Sequence, residues 1–486
     1  MRMSNQVFLE KAKKLKPVLK ERAVTLTENK RVSEKGDVAL FDFGEHLTGK
    51  ISFSFGYEGH HPDAPVWLRV RFAERLQELA ESVEDYHGWI SAGWVQTEEI
   101  HVDVIPCEFT LPRRYAFRYV QVEAIDISSR FTLTIERVTC KATTSADEEK
   151  LSPVEIKDPV LARIETISCA TLKECMQDVF EDGPKRDRRL WLGDLRLQAL
   201  TNYVTYQNYD LVRRCLYLFA GTAPEEGMLA SNVFTAPEIE ADDQSMFDYA
   251  LLFAKSLEDY YEATDDLRTV KELWPTVKAQ FIAAERFFTM DGQIQPSEVP
   301  HWVFVDWNLS LQKDFSALGI WLYCEKAAEH LANVLGDEAF LKDMQPKKEM
   351  RKVAGLAMFH GSLRLFVSGS EKQVSMSSQV WAVLGGLTED AGLFARAEKA
   401  GALKMVSPYM VHYYVEALVQ LGKTEEALDV IRTYWGGMAE RGADTFWELY
   451  DPEDPDGSPY GGTIVNSYCH AWSCTPAYFL RTLKLL

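Results

Sequence analysis

One change of rhythm constrains how this chain can fold: apolar residues recur at every second position from Asp37 to about Thr144, and at every third or fourth position beyond about Leu151. A period of two marks strands with one buried face, whereas a period near 3.6 marks amphipathic helices. Ile51, Phe53 and Phe55 alternate with Ser52 and Ser54, Leu68, Val70 and Phe72 with Arg69 and Arg71, and Phe131, Leu133 and Ile135 with Thr132, Thr134 and Glu136. Glycines and prolines punctuate these runs, which predicts an antiparallel β-sandwich. The first thirty residues read as a helical lead-in to it.

The second half is helical throughout. Phe315, Leu318 and Leu322 are followed by Leu331, Val334 and Leu335 just ahead of Gly336, a helix with a glycine stop. Ser407-Pro408 supplies a cap and a first-turn proline for another helix that stops at Gly422. About twelve such stretches follow one another with short connections. The expectation is a mixed, mainly α chain: an N-terminal β-sandwich domain over 1–150 and an (α/α)6 toroid over 151–486, with its site where helix-end loops converge. No fixed-length repeat argues for a solenoid.

The formal charge of −20 repels phosphate backbones and no basic run offsets it, so nucleic acid is not an expected partner. The basic N-terminal segment has no continuous apolar stretch, and nowhere do eighteen apolar residues follow one another. No export signal or membrane span is expected. Eight cysteines without C-x-x-C spacing fit reduced thiols and a cytoplasmic location. There is no G-x-S-x-G elbow, H-E-x-x-H helix or Gly-rich phosphate loop. His60-His61 reads as surface, and the prolines in Asp451–Gly457 break calcium-loop spacing. Neither a metal nor an organic cofactor is expected.

Chemistry concentrates in four separated segments. The densest runs from Glu181 to Asp194, EDGPKRDRRLWLGD. Charged runs ordinarily just face water. Gly183, Pro184 and Trp191 do not suit an idle charged face, however, and carboxylates, guanidinium groups and a flat ring together suit a sugar. The second segment, Thr445-Phe446-Trp447-Glu448, surrounds a carboxylate with aromatic surface, one way of adjusting a carboxyl for acid/base work. The others are Asn466–Ser473, with Cys469, His470 and Trp472, and Phe304-Val305-Asp306-Trp307.

These segments, in this order, resemble the α-L-rhamnosidases of glycoside hydrolase family 78. The match runs through Asp182, Pro184, Arg186, Asp187, Arg188, Trp191, Gly193 and Asp194, then T-x-W-E at Thr445–Glu448 and S-x-C-H-x-W-S at Ser467–Ser473. Asp42-Phe43-Gly44, Thr48-Gly49 and Phe117–Val120 resemble the sandwich that precedes the toroid in that family. The chain ends soon after the His470 segment, as in a compact two-domain member. The resemblance implies inverting hydrolysis of a terminal rhamnosyl bond, with Asp187 as general acid and Glu448 as general base; with no appended binding module and no export signal, small rhamnosides are the expected substrates. It further implies that Asp182, Arg186, Asp194, Asp306 and His470 hold the sugar hydroxyls, and that Trp191, Trp307 and Trp447 pack on its apolar faces. Where many family members carry Glu, this chain has Arg188, and a guanidinium cannot donate a proton near neutral pH. That selects Asp187, with Asp182 and Asp194 as the other carboxyls of the cluster, and Arg188 is expected to turn away or pair with another carboxylate. Another sugar specificity on the same toroid, a non-catalytic rhamnose-binding relative, and a homo-oligomer all stay open.

Overall fold

The computed structural model describes residues 3–294 and 303–483. The N-terminal half contains β1 (Lys20–Leu26), β2 (Lys30–Val32), β3 (Val38–Gly59), β4 (Val66–Ala73), β5 (Thr97–Val102), β6 (Cys107–Thr110), β7 (Tyr115–Asp126) and β8 (Phe131–Thr144), all paired antiparallel. The eight strands form one hydrogen-bonded sheet, and the long β3 changes partners along its length. Its first part pairs with β7, the register shifts between Asp42 and Leu47, and its second part pairs with β8 and β6. A shift of this kind bends and twists a strand. Phe41, Phe53, Phe55, Val70, Val122 and Ile135 share one buried core, as the alternation requires.

The helical lead-in is shorter than the sequence suggests. Helix α1 covers only Asn5–Lys14, and residues 20–26 form β1, in continuous register with β8 from Lys20↔Thr144 to Leu26↔Val138. Helix α1 packs on the helical half: Phe8 stacks on Tyr217 with ring centroids 5.9 Å apart, and Asn5 Nδ2 donates to the Ala223 carbonyl at 2.7 Å.

Twelve helices follow among the described residues: α2 (Pro159–Cys175), α3 (Leu192–Val204), α4 (Tyr209–Gly221), α5 (Phe247–Thr264), α6 (Leu267–Glu285), α7 (Asp314–Leu335), α8 (Glu338–Ala357), α9 (Met376–Leu384), α10 (Leu393–Lys399), α11 (Pro408–Gln420), α12 (Thr424–Glu440) and α13 (Pro476–Thr482). Helices α3, α5, α7, α9 and α11 touch in sequence, and the 471–474 turn with α13 closes the ring back onto α3. The intervening helices lie outside, with α12 against α2. Burial follows this order: all nine residues of α9 are buried, whereas α8 buries a single stripe. The caps sit where expected, with Ser407 Oγ accepting from the Met410 N–H at 3.2 Å and Gly336 ending α7 at φ 70°.

Candidate active site

The inner helices begin at one end of the ring, and their N-terminal loops converge there. Trp191 precedes α3, Met246 precedes α5, Phe304 and Trp307 precede α7, and His470 precedes the 471–474 turn. All five line one cavity of about 300 Å³, together with Asp182, Arg186, Asp187, Asp194 and Glu448. Helix N-termini carry unpaired N–H groups and positive partial charge, which makes this end hospitable to carboxylates and hydroxyl oxygens.

Backbone hydrogen bonds assemble the distant segments. The His470 N–H donates to the Phe446 carbonyl at 2.8 Å, the Glu448 N–H to Ser467 at 3.0 Å, and the Ala471 N–H to Asp182 at 2.7 Å. The Trp472 indole N–H donates to the Glu448 carbonyl at 2.9 Å. At Gly193 a Cβ would lie 2.3 Å from the Tyr249 ring, so the glycine of the W-x-G-D stretch lets α3 approach α5. Asp187 and Arg188 take φ of 66° and 55°, and Val305 takes 57°. Such values are uncommon for these residues, most of all for a β-branched one, and strained backbone gathers at functional sites. At Val305 the strain is held by Asp248, whose carboxylate accepts from the Phe304 and Val305 N–H groups at 3.1 and 2.9 Å.

Arg186 is the centre of the site. Its Nε donates to the Val465 carbonyl at 2.9 Å, one terminal nitrogen binds the Glu448 carboxylate, and the other lies 3.8 Å from Asp187 Oδ1. The Tyr460 hydroxyl donates to the second Glu448 oxygen, and the guanidinium lies 4.1 Å over the Tyr460 ring. Burial pushes the Glu448 carboxyl up, and Asp187 adds to this, against the opposing pull of Arg186 and Tyr460. Burial also holds Asp182 well above the ordinary carboxylate range, reinforced by Asp187 and Asp194, and does the same to Asp194, reinforced by Glu448. His470 is driven well below its usual value by burial and by Arg186, so its imidazole is neutral. It stands 3.9 Å from Asp182 and 3.8 Å from Asp194. Asp194 Oδ1, His470 Nδ1 and Trp191 Nε1 are buried with no hydrogen-bond partner in the protein. Buried polar atoms are rarely left so, and here they surround a space suited to a polyol.

Two expected sugar contacts are placed elsewhere. Asp306 does not line the cavity: its carboxylate accepts from the Val406 and Ser407 N–H groups, both at 3.0 Å, and from Ser407 Oγ at 2.5 Å, fixing the start of α11. Burial raises its carboxyl to about 6. Trp447 is buried beneath Arg75, whose guanidinium lies 4.2 Å from the ring, and it packs edge-on against Tyr450 and Tyr468. Arg188 also lies outside the cavity lining, with its Nε donating to the Lys185 carbonyl at 3.2 Å. Burial and the neighbouring Arg114 lower its guanidinium to about 10.

The cavity includes residues that the sequence reading did not select: Trp89 and Ile90 from the sheet domain, Asp242 and Gln244, and the aromatics Tyr249, Phe304, Tyr460 and Trp472. Phe304 and Trp472 lay inside recognised segments. Tyr460 and Trp89 had no local signal. Among the described residues no group of three or more His, Cys, Asp or Glu could hold a metal, no helix is long and apolar enough to cross a membrane, and all eight cysteines are free.

Comparison with known families decides the assignment of the chain. Residues 8–142 match the glycosyl hydrolase family 78 α-rhamnosidase N-terminal domain, and residues 149–483 match the bacterial α-L-rhamnosidase six-hairpin glycosidase domain. The chain belongs to the family 78 α-L-rhamnosidases. Its fold is similar to that of a Klebsiella oxytoca rhamnosidase with rhamnose bound, at TM-score 0.94 and 41% identity over 99% of both chains. A family 78 rhamnosidase of Bacillus sp. GL1 shares the fold at TM-score 0.79 and 21% identity, over 94% of this chain and 48% of that one. An α-L-rhamnosidase of Streptomyces avermitilis is 22% identical over 474 residues, covering 92% of this chain. The present chain spans 42% of that larger protein.

Proposed function

We propose that the chain hydrolyses terminal α-L-rhamnosyl bonds of small rhamnosides with inversion at the anomeric carbon. Asp187 donates a proton to the departing glycosidic oxygen as that bond breaks, and Glu448 takes a proton from the water that attacks the opposite face of the sugar. One observation carries the reading: Arg186 bridges the two carboxylates at the wall of a single cavity. An inverting pair keeps roughly 6.5–9.5 Å between its carboxyls, room for the attacking water. Exposure separates the roles as well. The Asp187 side chain retains 22% of its accessible surface and can exchange protons with solvent, whereas Glu448 retains 7%. Asp182, Asp194 and neutral His470 supply acceptors and donors for the sugar hydroxyls, and Trp191 and Trp307 supply flat apolar surface. The rhamnose-bound Klebsiella relative supports rhamnose as the sugar.

Asp182 is the second carboxyl to consider as acid, because burial, reinforced by Asp187 and Asp194, favours its neutral form. Proton NMR of early product tests the main reading. Inversion requires β-L-rhamnose to appear first, before mutarotation, and α-L-rhamnose appearing first would refute it. Rhamnose binding without hydrolysis of any rhamnoside would favour a binding protein.

A further inference from the structure

Strands β4 and β5 are hairpin partners, with Arg71 opposite Thr97, and a short turn would join them. Residues 74–96 instead leave the sheet, reach the mouth of the helical domain and return. Connections this long are uncommon inside compact domains and usually carry function. This one is pinned to its target. The Glu81 carboxylate accepts from the Thr463 and Ile464 N–H groups at 3.2 and 3.1 Å. The Tyr86 hydroxyl donates to the Tyr460 carbonyl at 3.0 Å, and the Trp89 indole N–H to the Pro459 carbonyl at 2.7 Å. A Cβ on Gly88 would lie 1.8 Å from the Tyr460 carbonyl oxygen, so the strap seats at a distance that only glycine allows.

The strap delivers Trp89 to the cavity. The indole is 68% exposed yet lines the space, with its ring centroid 5.5 Å from that of Tyr460. Asp182, Asp194 and His470 line the same cavity but are buried, and the sugar belongs with them. A general acid serves the leaving group, and Asp187 is the more accessible of the two carboxylates, so the leaving group points toward the open side. An exposed indole whose one polar atom is already bonded offers a rigid, flat, apolar face there.

We propose that Trp89, carried in by the sheet domain, is the platform on which a planar aromatic aglycone stacks, making it a specificity-determining residue for the leaving group. The proposal rests on the glycosidase reading above. It is tested by kcat/KM for wild type, Trp89→Ala and Trp89→Phe on a nitrophenyl rhamnoside and on methyl rhamnoside, with rhamnose affinity measured by calorimetry. Trp89→Ala should lower kcat/KM about 3- to 10-fold on the aryl substrate, mainly through KM, and change the methyl substrate by no more than about twofold. Rhamnose affinity should hold, and Trp89→Phe should recover most of the aryl activity. An equal loss on both substrates, weakened rhamnose binding, or no aryl-selective loss would overturn the platform while leaving wild-type turnover intact. Wild-type inactivity on both substrates would instead remove the glycosidase reading, and the platform with it.

Discussion

Replacing Arg186 by Gln tests the electrostatic core of the site. Burial favours the neutral form of Glu448, and the Arg186 cation is the strongest influence restoring the carboxylate. A unit charge in contact contributes about 4 kcal/mol at the effective dielectric of a protein site, part of it offset by desolvation. Loss of an opposite charge at this range shifts a carboxyl enough to cost about 10- to 10³-fold in the ionised fraction below its titration point. The sign follows from the role. A general base works only when deprotonated, so activity falls as pH falls through the Glu448 titration, and removing Arg186 must move that acid limb to higher pH. The assay is the pH profile of kcat/KM on a nitrophenyl rhamnoside, with circular dichroism confirming the fold. Arg186→Lys, which keeps the charge but loses the fork, should show a smaller displacement. The reasoning is refuted if Arg186→Gln lowers activity equally at every pH and leaves the acid limb where it was.

Asp187→Asn should reduce turnover of a rhamnoside with a poor leaving group by about 10²–10⁴-fold and a nitrophenyl rhamnoside much less, whereas Glu448→Gln should damage both alike. Unchanged turnover of the poor-leaving-group substrate in Asp187→Asn would move the acid to Asp182 or Asp194. Asp306→Ala leaves three donors at the start of α11 without their acceptor and should cost about 2–4 kcal/mol of stability in thermal or denaturant unfolding. If the folded variant kept full stability but lost rhamnose affinity, Asp306 would be a sugar contact after all. Activity should survive EDTA, since two carboxyls suffice for this cleavage, and a loss reversed by a divalent ion would count against the mechanism.

The change from period two to period 3.6 was legible because burial of one face imprints a local rhythm, and so were the Ser407 cap and the Gly336 stop, whose chemistry is complete within a few residues. The segments around Asp182, Glu448 and His470 were legible for a similar reason: each carries its polar and aromatic residues close together in sequence. What the sequence could not reveal depended on partners far along the chain. Residues 20–26 became a strand because β8, more than a hundred residues later, offers a free ladder to pair with. Asp306 sits beside Trp307 in sequence, but its carboxylate is taken by the N-terminus of α11 a hundred residues on. Trp447 adjoins Glu448, yet Trp447 lies under Arg75 while Glu448 faces the cavity. Trp89 and Tyr460 meet only because a strap from one domain is tied to a loop of the other. Local periodicity reports which face is buried, and only the folded chain decides what it is buried against.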